Sequence, residues 1–261
     1  MKNKLLNFLR KIKYDYSYGL FDVLRRKESG LLTPYQPESL RSVKPQDCCL
    51  HDSLILISAV YPIKCDTEID LMPIGDGQAV APIMADALRD LLVASERDCG
   101  EEVIFTSAYR TLAFQASIYG VNPYAVKPGE SEHHSGLGLD IKVDGYAQRR
   151  FIMSRTGKWM AKHAHEYGFV IRYPLWGEKK TGMPYEPWHL RYVGNPHAEI
   201  IYRRKLVLES YLALLEKERF LRFGDIVISA QQGEELLIPK DVETVTLAHN
   251  TRGGYIVWFK I

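Results

Sequence analysis

The sequence predicts an α+β protein, a core of helices and short strands with a small β appendix behind it. Three features carry that expectation. Residues 80–98 place Ile83, Met84, Leu88, Leu91 and Leu92 at helical spacing. The EEVIFTSAYR that follows is rich in strand formers. Beyond about residue 221 the chain breaks into DIVIS, ELLIP, ETVTLA and GYIVWFKI, separated by Gln-Gln-Gly, Pro-Lys-Asp and Arg-Gly-Gly turns. With 261 residues, 46% hydrophobic and 25% charged, the chain has apolar material for one large domain or two small ones, which excludes a mainly disordered protein.

The N-terminus, MKNKLLNFLRKIK, lacks the continuous apolar stretch and small-residue cleavage site of a secretory signal. Leu5, Leu6, Phe8, Leu9 and Ile12 would share one side of a helix, a pattern that suits a terminal helix resting on the domain or weak membrane-surface contact through residues 1–13. A polar stretch, LLTPYQPESLRSVKPQD, reads as an extended arm completing residues 1–50. The central unit, 51–220, opens with SLILISAVYPI (53–63), a strand or extended segment. The helix over 80–98 closes at Cys99-Gly100. A second helix starts near Thr111, a third covers 155–167, and Asn195-Pro196 opens a fourth that runs on through YRRKLVLESYLALLEKE. Residues 221–261 form the β appendix.

Charge and cysteine usage narrow the function classes. A formal net charge of +2 is too balanced for a nucleic-acid binder that works by neutralising phosphates, so no nucleic acid is expected as a partner. No apolar run reaches the roughly 18–20 residues of a transmembrane segment. Cys48, Cys49, Cys65 and Cys99 lack the spacing of a zinc knuckle or redox motif and read as reduced thiols. Reduced thiols and the missing signal together lead to the expectation of a cytoplasmic protein.

Two segments carry chemistry. In KPGESEHHSGLGLDIKVDG (127–145), Leu137, Leu139, Ile141 and Val143 alternate with Gly138, Asp140 and Lys142. A strand with that pattern buries the first set and turns Asp140 away from the core, beside a glycine that leaves space. His133, seven residues earlier and before Ser135-Gly136, can fold back over the strand to share a cation with Asp140; the two would serve equally as a hydrogen-bonded pair. In MPYEPWHLRYVG (183–194), Glu186 and His189 face opposite ways on a regular strand and converge only if Pro187 makes the backbone irregular. Zinc hydrolases use three protein ligands and an open position for water, a set that His133, Asp140 and His189 can supply with Glu186 as base. On its own the second segment reads rather as a Trp188 core anchor beside a solvated Glu186 carboxylate. GESEH (129–133) fails as a nucleophile elbow, and GLGLDI lacks the third glycine of a dinucleotide fingerprint. His134 points away from His133 in an extended segment, and His163, His165 and His197 read as structural.

Together and in this order the segments resemble the VanY/VanX group of zinc D,D-peptidases, the D-alanyl-D-alanine carboxypeptidases and dipeptidases. The pattern S-x-H-x-x-G-x-x-x-D is met by Ser131, His133, Gly136 and Asp140, and E-x-W-H by Glu186, Trp188 and His189. An upstream S-x-Y-R with a Gln five residues on is met by Ser107, Tyr109, Arg110 and Gln115. The resemblance covers about 53–205 and implies a small antiparallel sheet flanked by helices and carrying a zinc site. It implies Zn²⁺ on His133, Asp140 and His189, Glu186 as general base, Arg110 neutralising charge on the carbonyl oxygen, and Ser131 and Gln115 holding the terminal D-Ala. Gly138 stands where relatives often have alanine, a change expected to widen the pocket. The implied substrate is a peptidoglycan precursor or the D-Ala-D-Ala dipeptide, in some bacteria as part of glycopeptide resistance. Cleavage of another wall bond, such as L-Ala-D-Glu, and a non-catalytic wall- or partner-binding module are the competing readings; the intact Glu186 argues against the second.

Overall fold

The computed structural model describes residues 28–66 and 69–261. The expected terminal helix and membrane-surface segment, residues 1–13, lie outside the described residues. Among the described residues no helix is long and apolar enough to cross a membrane.

The strands, in chain order, are β1 (Thr33–Pro34), β2 (Leu40–Val43), β3 (Cys49–Leu50), β4 (Met72–Gly75), β5 (Gln78–Val80), β6 (Ile104–Ser107), β7 (Gly138–Lys142), β8 (Phe169–Tyr173) and β9 (Glu186–Tyr192). Beyond them come β10 (Leu221–Phe223), β11 (Ile226–Gln231), β12 (Leu236–Pro239), β13 (Thr246–His249) and β14 (Tyr255–Lys260). The helices are α1 (Ala85–Cys99), α2 (Leu112–Ile118), α3 (Arg155–His163), α4 (Glu178–Thr181), α5 (His197–Arg203) and α6 (Leu208–Leu215).

A four-stranded antiparallel sheet, β6-β7-β9-β8, carries the site. Its alternation is the one the sequence predicts: Leu139 and Ile141 are buried on one face with Leu190, Trp188 and Phe169, against Leu88 and Leu91 of α1 and Met160 of α3. Helix α1 ends at Gly100, whose φ of +61° lets its N–H reach Glu96 O at 2.7 Å. Ser154 caps α3 by accepting from Gly157 N at 2.8 Å. Gly157 has no alternative in that first turn, because a Cβ there would lie 2.0 Å from Phe151 O.

The appendix builds a six-stranded sheet, β1-β10-β11-β14-β13-β3, and a separate β12-β2 pair. The arm therefore supplies strands to the appendix: β1 pairs with β10, β3 with β13 and β2 with β12. Between the two sheets lies an apolar seam in which Leu54, Leu56, Val170 and Val193 meet Ile200, Tyr211 and Leu212 of α5 and α6, together with Ile228, Ile256 and Trp258 of the outer sheet.

Of the two readings of residues 53–63, strand or extended segment, the strand is absent: they join no ladder, Leu54, Leu56 and Ile57 are buried, and the carbonyls of Ser53 and Ile55 are bonded by Arg191 Nη2 at 3.0 and 2.6 Å. One sequence expectation changes. The fourth helix is two. It stops after Arg203, where Lys205 takes φ +51° and Leu206 N bonds Ile201 O at 2.9 Å, the closing turn that glycine usually makes. Asn195 does not cap it either, since its side chain donates to Glu166 O at 3.0 Å.

Candidate active site

The segment 131–140 folds as a short 3-10 turn, Glu132–Ser135, which leads into β7. Gly136 closes the turn with φ +67° where a Cβ would press to 3.0 Å on Ala81 N, so neither the turn nor the approach of residue 81 tolerates a side chain. The turn brings His133 back over the strand. Its Nδ1 donates to Ala108 O at 2.6 Å, which leaves Nε2 as the free nitrogen, 3.4 Å from Asp140 Oδ2. Burial pulls the His133 imidazole down to about 4, so it stays neutral and able to ligate.

His189 lies directly across the ladder from Asp140, with Nδ1 at 2.9 Å from Asp140 Oδ1. The expected irregularity is present on the other side of β9. Tyr173 pairs with Glu186 and Ile171 with Leu190, so residues 187–189 bulge from the β8 ladder. The bulge returns Glu186 to the side of His189, with Oε2 at 4.0 Å from Nδ1. Donor atoms of His133, Asp140 and His189 all fall within 4.8 Å of one another. Two imidazole nitrogens and one carboxylate oxygen, with room for a fourth ligand, match the donor set of a catalytic zinc. Burial opposes charge on His189, yet the carboxylates around it, Asp140 bonded at Nδ1 with Glu132 and Glu186 close by, prevail and hold its imidazole up at about 9. The pocket thus favours a cation at this point. Burial would raise the Asp140 carboxyl, but His133 and His189 outweigh it and hold it well below the usual range.

Glu186 is the odd carboxylate. Burial pushes it up to about 7, with His189 opposing and Asp140 adding to the rise. Its Oε1 is buried without a hydrogen-bond partner. Such a group exchanges protons near neutrality. Arg110 reaches Asp140 Oδ2 through Nη2 at 3.1 Å and is steadied by Ser107 Oγ at 2.6 Å and Gln115 Oε1 at 3.2 Å. Gln115 is fully buried, its other end donating to Val126 O at 2.8 Å. Ser131, Gln115, Arg110, Glu186 and the three candidate ligands line one cavity of about 350 Å³, shared with Tyr124, Tyr173 and Trp188. Every site residue singled out in the sequence is therefore in one place.

His134 stands outside it: Nδ1 donates to Arg110 O at 2.7 Å and Nε2 accepts from Gly129 N at 3.1 Å. His163 pairs with Glu166, His165 stacks on Tyr202 at 3.7 Å, and His197 bonds Tyr211 Oη at 2.6 Å. The room left by Gly138 does not widen the cavity. A Cβ there would sit 3.2 Å from His189 Nε2, so the space belongs to the imidazole.

Sequence reasoning missed Glu132, Arg172 and Arg191. Glu132 accepts from Arg172 Nε at 2.7 Å and Arg191 Nη1 at 2.9 Å, and Arg172 forks onto Glu209 of α6 at 2.6 and 2.9 Å. Both arginines hold charge on the same sheet face as His189, beneath the cavity. A usable signal existed: FVIRY and EPWHLRY set arginine inside otherwise apolar strands, where a charge needs a buried partner.

A family model described as VanY, D-alanyl-D-alanine carboxypeptidase, matches residues 77–195. A D-alanyl-D-alanine carboxypeptidase of Enterococcus faecium is 41% identical over 119 residues, 44% of this chain; the chain covers only 38% of that enzyme's length. A D-alanyl-D-alanine carboxypeptidase of Enterococcus faecalis is 31% identical over 203 residues, covering 70% of this chain and 74% of the relative. Among solved structures, a mutant of the vancomycin-resistance D,D-pentapeptidase VanY from a VanB-type cassette, in complex with Zn(II), superposes with a TM-score of 0.55 at 32% identity, over 61% of this chain and 98% of that one.

Proposed function

Because the chain belongs to the VanY family of D-alanyl-D-alanine carboxypeptidases, we propose that it is a zinc-dependent D,D-peptidase. It would hydrolyse the D-Ala-D-Ala bond of peptidoglycan precursors or of the free dipeptide. One observation carries the reading: two histidines, an aspartate and an unpartnered, raised-pKa glutamate converge in a cavity of about 350 Å³.

His133 Nε2, His189 Nδ1 and Asp140 would hold the zinc. When bound, zinc supplies the charge that lowers the pKa of water from about 15.7 to near 7 and polarises the scissile carbonyl. Glu186 takes the proton of the attacking water and delivers it to the departing amine, a role its pKa of about 7 suits. Arg110, fixed by Ser107 and Gln115, faces the carbonyl oxygen as negative charge builds on it, a contact that contributes about 3–4 kcal/mol per donor in other enzymes. Ser131 would receive the terminal D-Ala, and Gln115 acts there by holding Arg110 in place. Tyr124 and Trp188, in edge contact at 5.0 Å, wall the cavity and shelter the reacting groups from bulk water.

The substrate pool we assign is cytoplasmic, the compartment of precursors and free dipeptide, and the four free cysteines support it. Weak membrane-surface contact through residues 1–13 belongs to the same proposal, since precursors become lipid-linked at that surface. The test is D-Ala release by the purified protein from D-Ala-D-Ala and from a pentapeptide ending in it, with and without chelator. Chelator-sensitive release from either is expected, and the ratio assigns dipeptidase or carboxypeptidase. A zinc-loaded protein that releases nothing from both overturns the reading in favour of another wall bond.

A further inference from the structure

The turn Glu132–Ser135 faces two ways. Both His133 and its neighbour Glu132 border the cavity, but the Glu132 carboxylate, on a residue 1% exposed, turns to Arg172 of β8 and Arg191 of β9. Glu132 Oε1 is fully engaged, accepting from Arg172 Nε at 2.7 Å and Arg191 Nη1 at 2.9 Å. Glu132 Oε2 is different. It is buried without a hydrogen-bond partner and lies 3.8 Å from His189 Nε2, which is likewise buried and without one. The other nitrogen of that ring, Nδ1, is the one turned to Asp140. Two orphaned atoms thus face each other, a carboxylate oxygen whose twin is held by two arginines and a ring nitrogen that can carry one proton. An ionised carboxylate has only acceptor capacity, so the pair is complementary only when the proton is on Nε2.

We infer that Glu132 is a positioning residue of the metal site: its Oε2 keeps the His189 proton on Nε2 and so keeps the Nδ1 lone pair aimed at the cation shared with His133 and Asp140. The inference rests on the zinc reading above and adds to it the device that selects the ligating nitrogen. A carboxylate behind a ligating histidine fixes the tautomer and raises its basicity. Gly138 contributes by leaving the ring room to stand in this orientation, since a Cβ would come within 3.2 Å of Nε2. His133 has the simpler version, a backbone carbonyl at Ala108.

The test begins on the unaltered chain loaded with zinc. Nitrogen-15 NMR of the His189 ring is expected to show a slowly exchanging proton on Nε2 and metal ligation at Nδ1; a proton on Nδ1 with the metal on Nε2 overturns the inference. Zinc affinity, read by competition with a chromophoric chelator, should fall about 10- to 100-fold in Glu132→Gln. In Glu209→Gln, which strips the other partner from Arg172 without touching His189, affinity should stay at the parent value. A folded Glu132→Gln protein that holds zinc as tightly as its parent overturns the inference; should that variant not fold, the NMR assignment decides alone. An unaltered chain that binds no zinc overturns the metal site and this inference with it, whereas zinc held through Nε2 overturns the inference only.

Discussion

On the site face of the β6-β7-β9-β8 sheet, Glu132, Arg172, Glu186, His189 and Arg191 are all buried and linked in space by contacts of 4.0 Å or less. The outer sheet buries Ser229 among apolar neighbours and leaves its ion pairs in solvent, as with Lys260 and Asp225 at 2.9 Å with both side chains more than half exposed. An apolar core packs to full density without directional constraints, while a buried ion pair recovers its desolvation cost only when nearly every donor and acceptor is matched. Arg191 meets that demand, donating to Glu132, to Tyr192 O and to the carbonyls of Ser53 and Ile55. The difference teaches that the charged interior is confined to the place where atoms must be held at defined positions. Elsewhere among the described residues the interior is mainly apolar, with hydrogen bonds such as His197 to Tyr211 and ion pairs left nearer the surface.

The comparison breaks most sharply at Glu186. Glu186→Gln keeps shape and hydrogen-bonding size but cannot accept the proton, so turnover should fall by about 10²–10⁴-fold. Zinc content, measured on the same preparation, should equal that of the parent. A variant that retains most of its turnover removes Glu186 from the role of base.

Next in size is the charge network. Arg172→Met leaves Glu132 and Glu209 facing an apolar side chain, and breaking one partner out of a buried pair costs about 3–5 kcal/mol. Urea unfolding of the metal-free protein reads the loss directly. An effect below about 1 kcal/mol, the size of an exposed pair, would mean that water reaches Glu132 and that the site interior is no drier than the surface.

How much of this was legible from residues alone follows the same division. The site was legible because its parts are short, ordered spacings: Ser131 to Asp140 is one turn and one strand, and Glu186 to His189 is one bulge. Strand alternation set Leu139 and Ile141 inward and Asp140 outward, as found. The four runs of the appendix appear as β11, β12, β13 and β14. What was not legible is non-local. Nothing in LLTPYQPESLRSVKPQD says that β2 will pair with Leu236–Pro239, nearly two hundred residues on. The arginines of β8 and β9 announce that a buried partner is needed, but not that it is Glu132, which stands on a turn 40 and 59 residues away. Lys205 closes α5 in a left-handed turn that glycine would have announced.

A third prediction concerns the seam between the sheets, where His197 is fully buried against Trp258 and bonds Tyr211. Burial drives its imidazole down to about 3, with His51 adding to the fall. The folded state therefore refuses a proton that the unfolded chain accepts below about 6.5. Stability from this group is complete above pH 6.5 and declines as pH falls toward 3, by about 1.4 kcal/mol per pH unit. The unfolding free energy of the parent should drop more steeply between pH 6.5 and 5.5 than that of His197→Gln. Parallel slopes would show that His197 can be protonated in place and that the seam admits water.

The smallest expected effect sharpens the comparison from the apolar side. Ile238, fully buried on β12, packs with Leu236, Val242 and Val257 in the core of the appendix, where the nearest charged group, Arg41 on β2, donates to Val242 O at 2.7 Å and makes no ion pair with the site. Ile238→Val removes one methyl group and should cost about 0.5–1.5 kcal/mol in urea unfolding. Nothing polar in the site touches this cluster, so zinc affinity and D-Ala release per folded molecule should be unchanged. The value of the measurement lies in that dissociation. A methyl lost from the appendix that also weakened zinc binding would mean that the outer sheet helps set the position of β8 and β9 through the seam at Val170, Ile228 and Ile256. The apolar and charged interiors would then act as one unit rather than two.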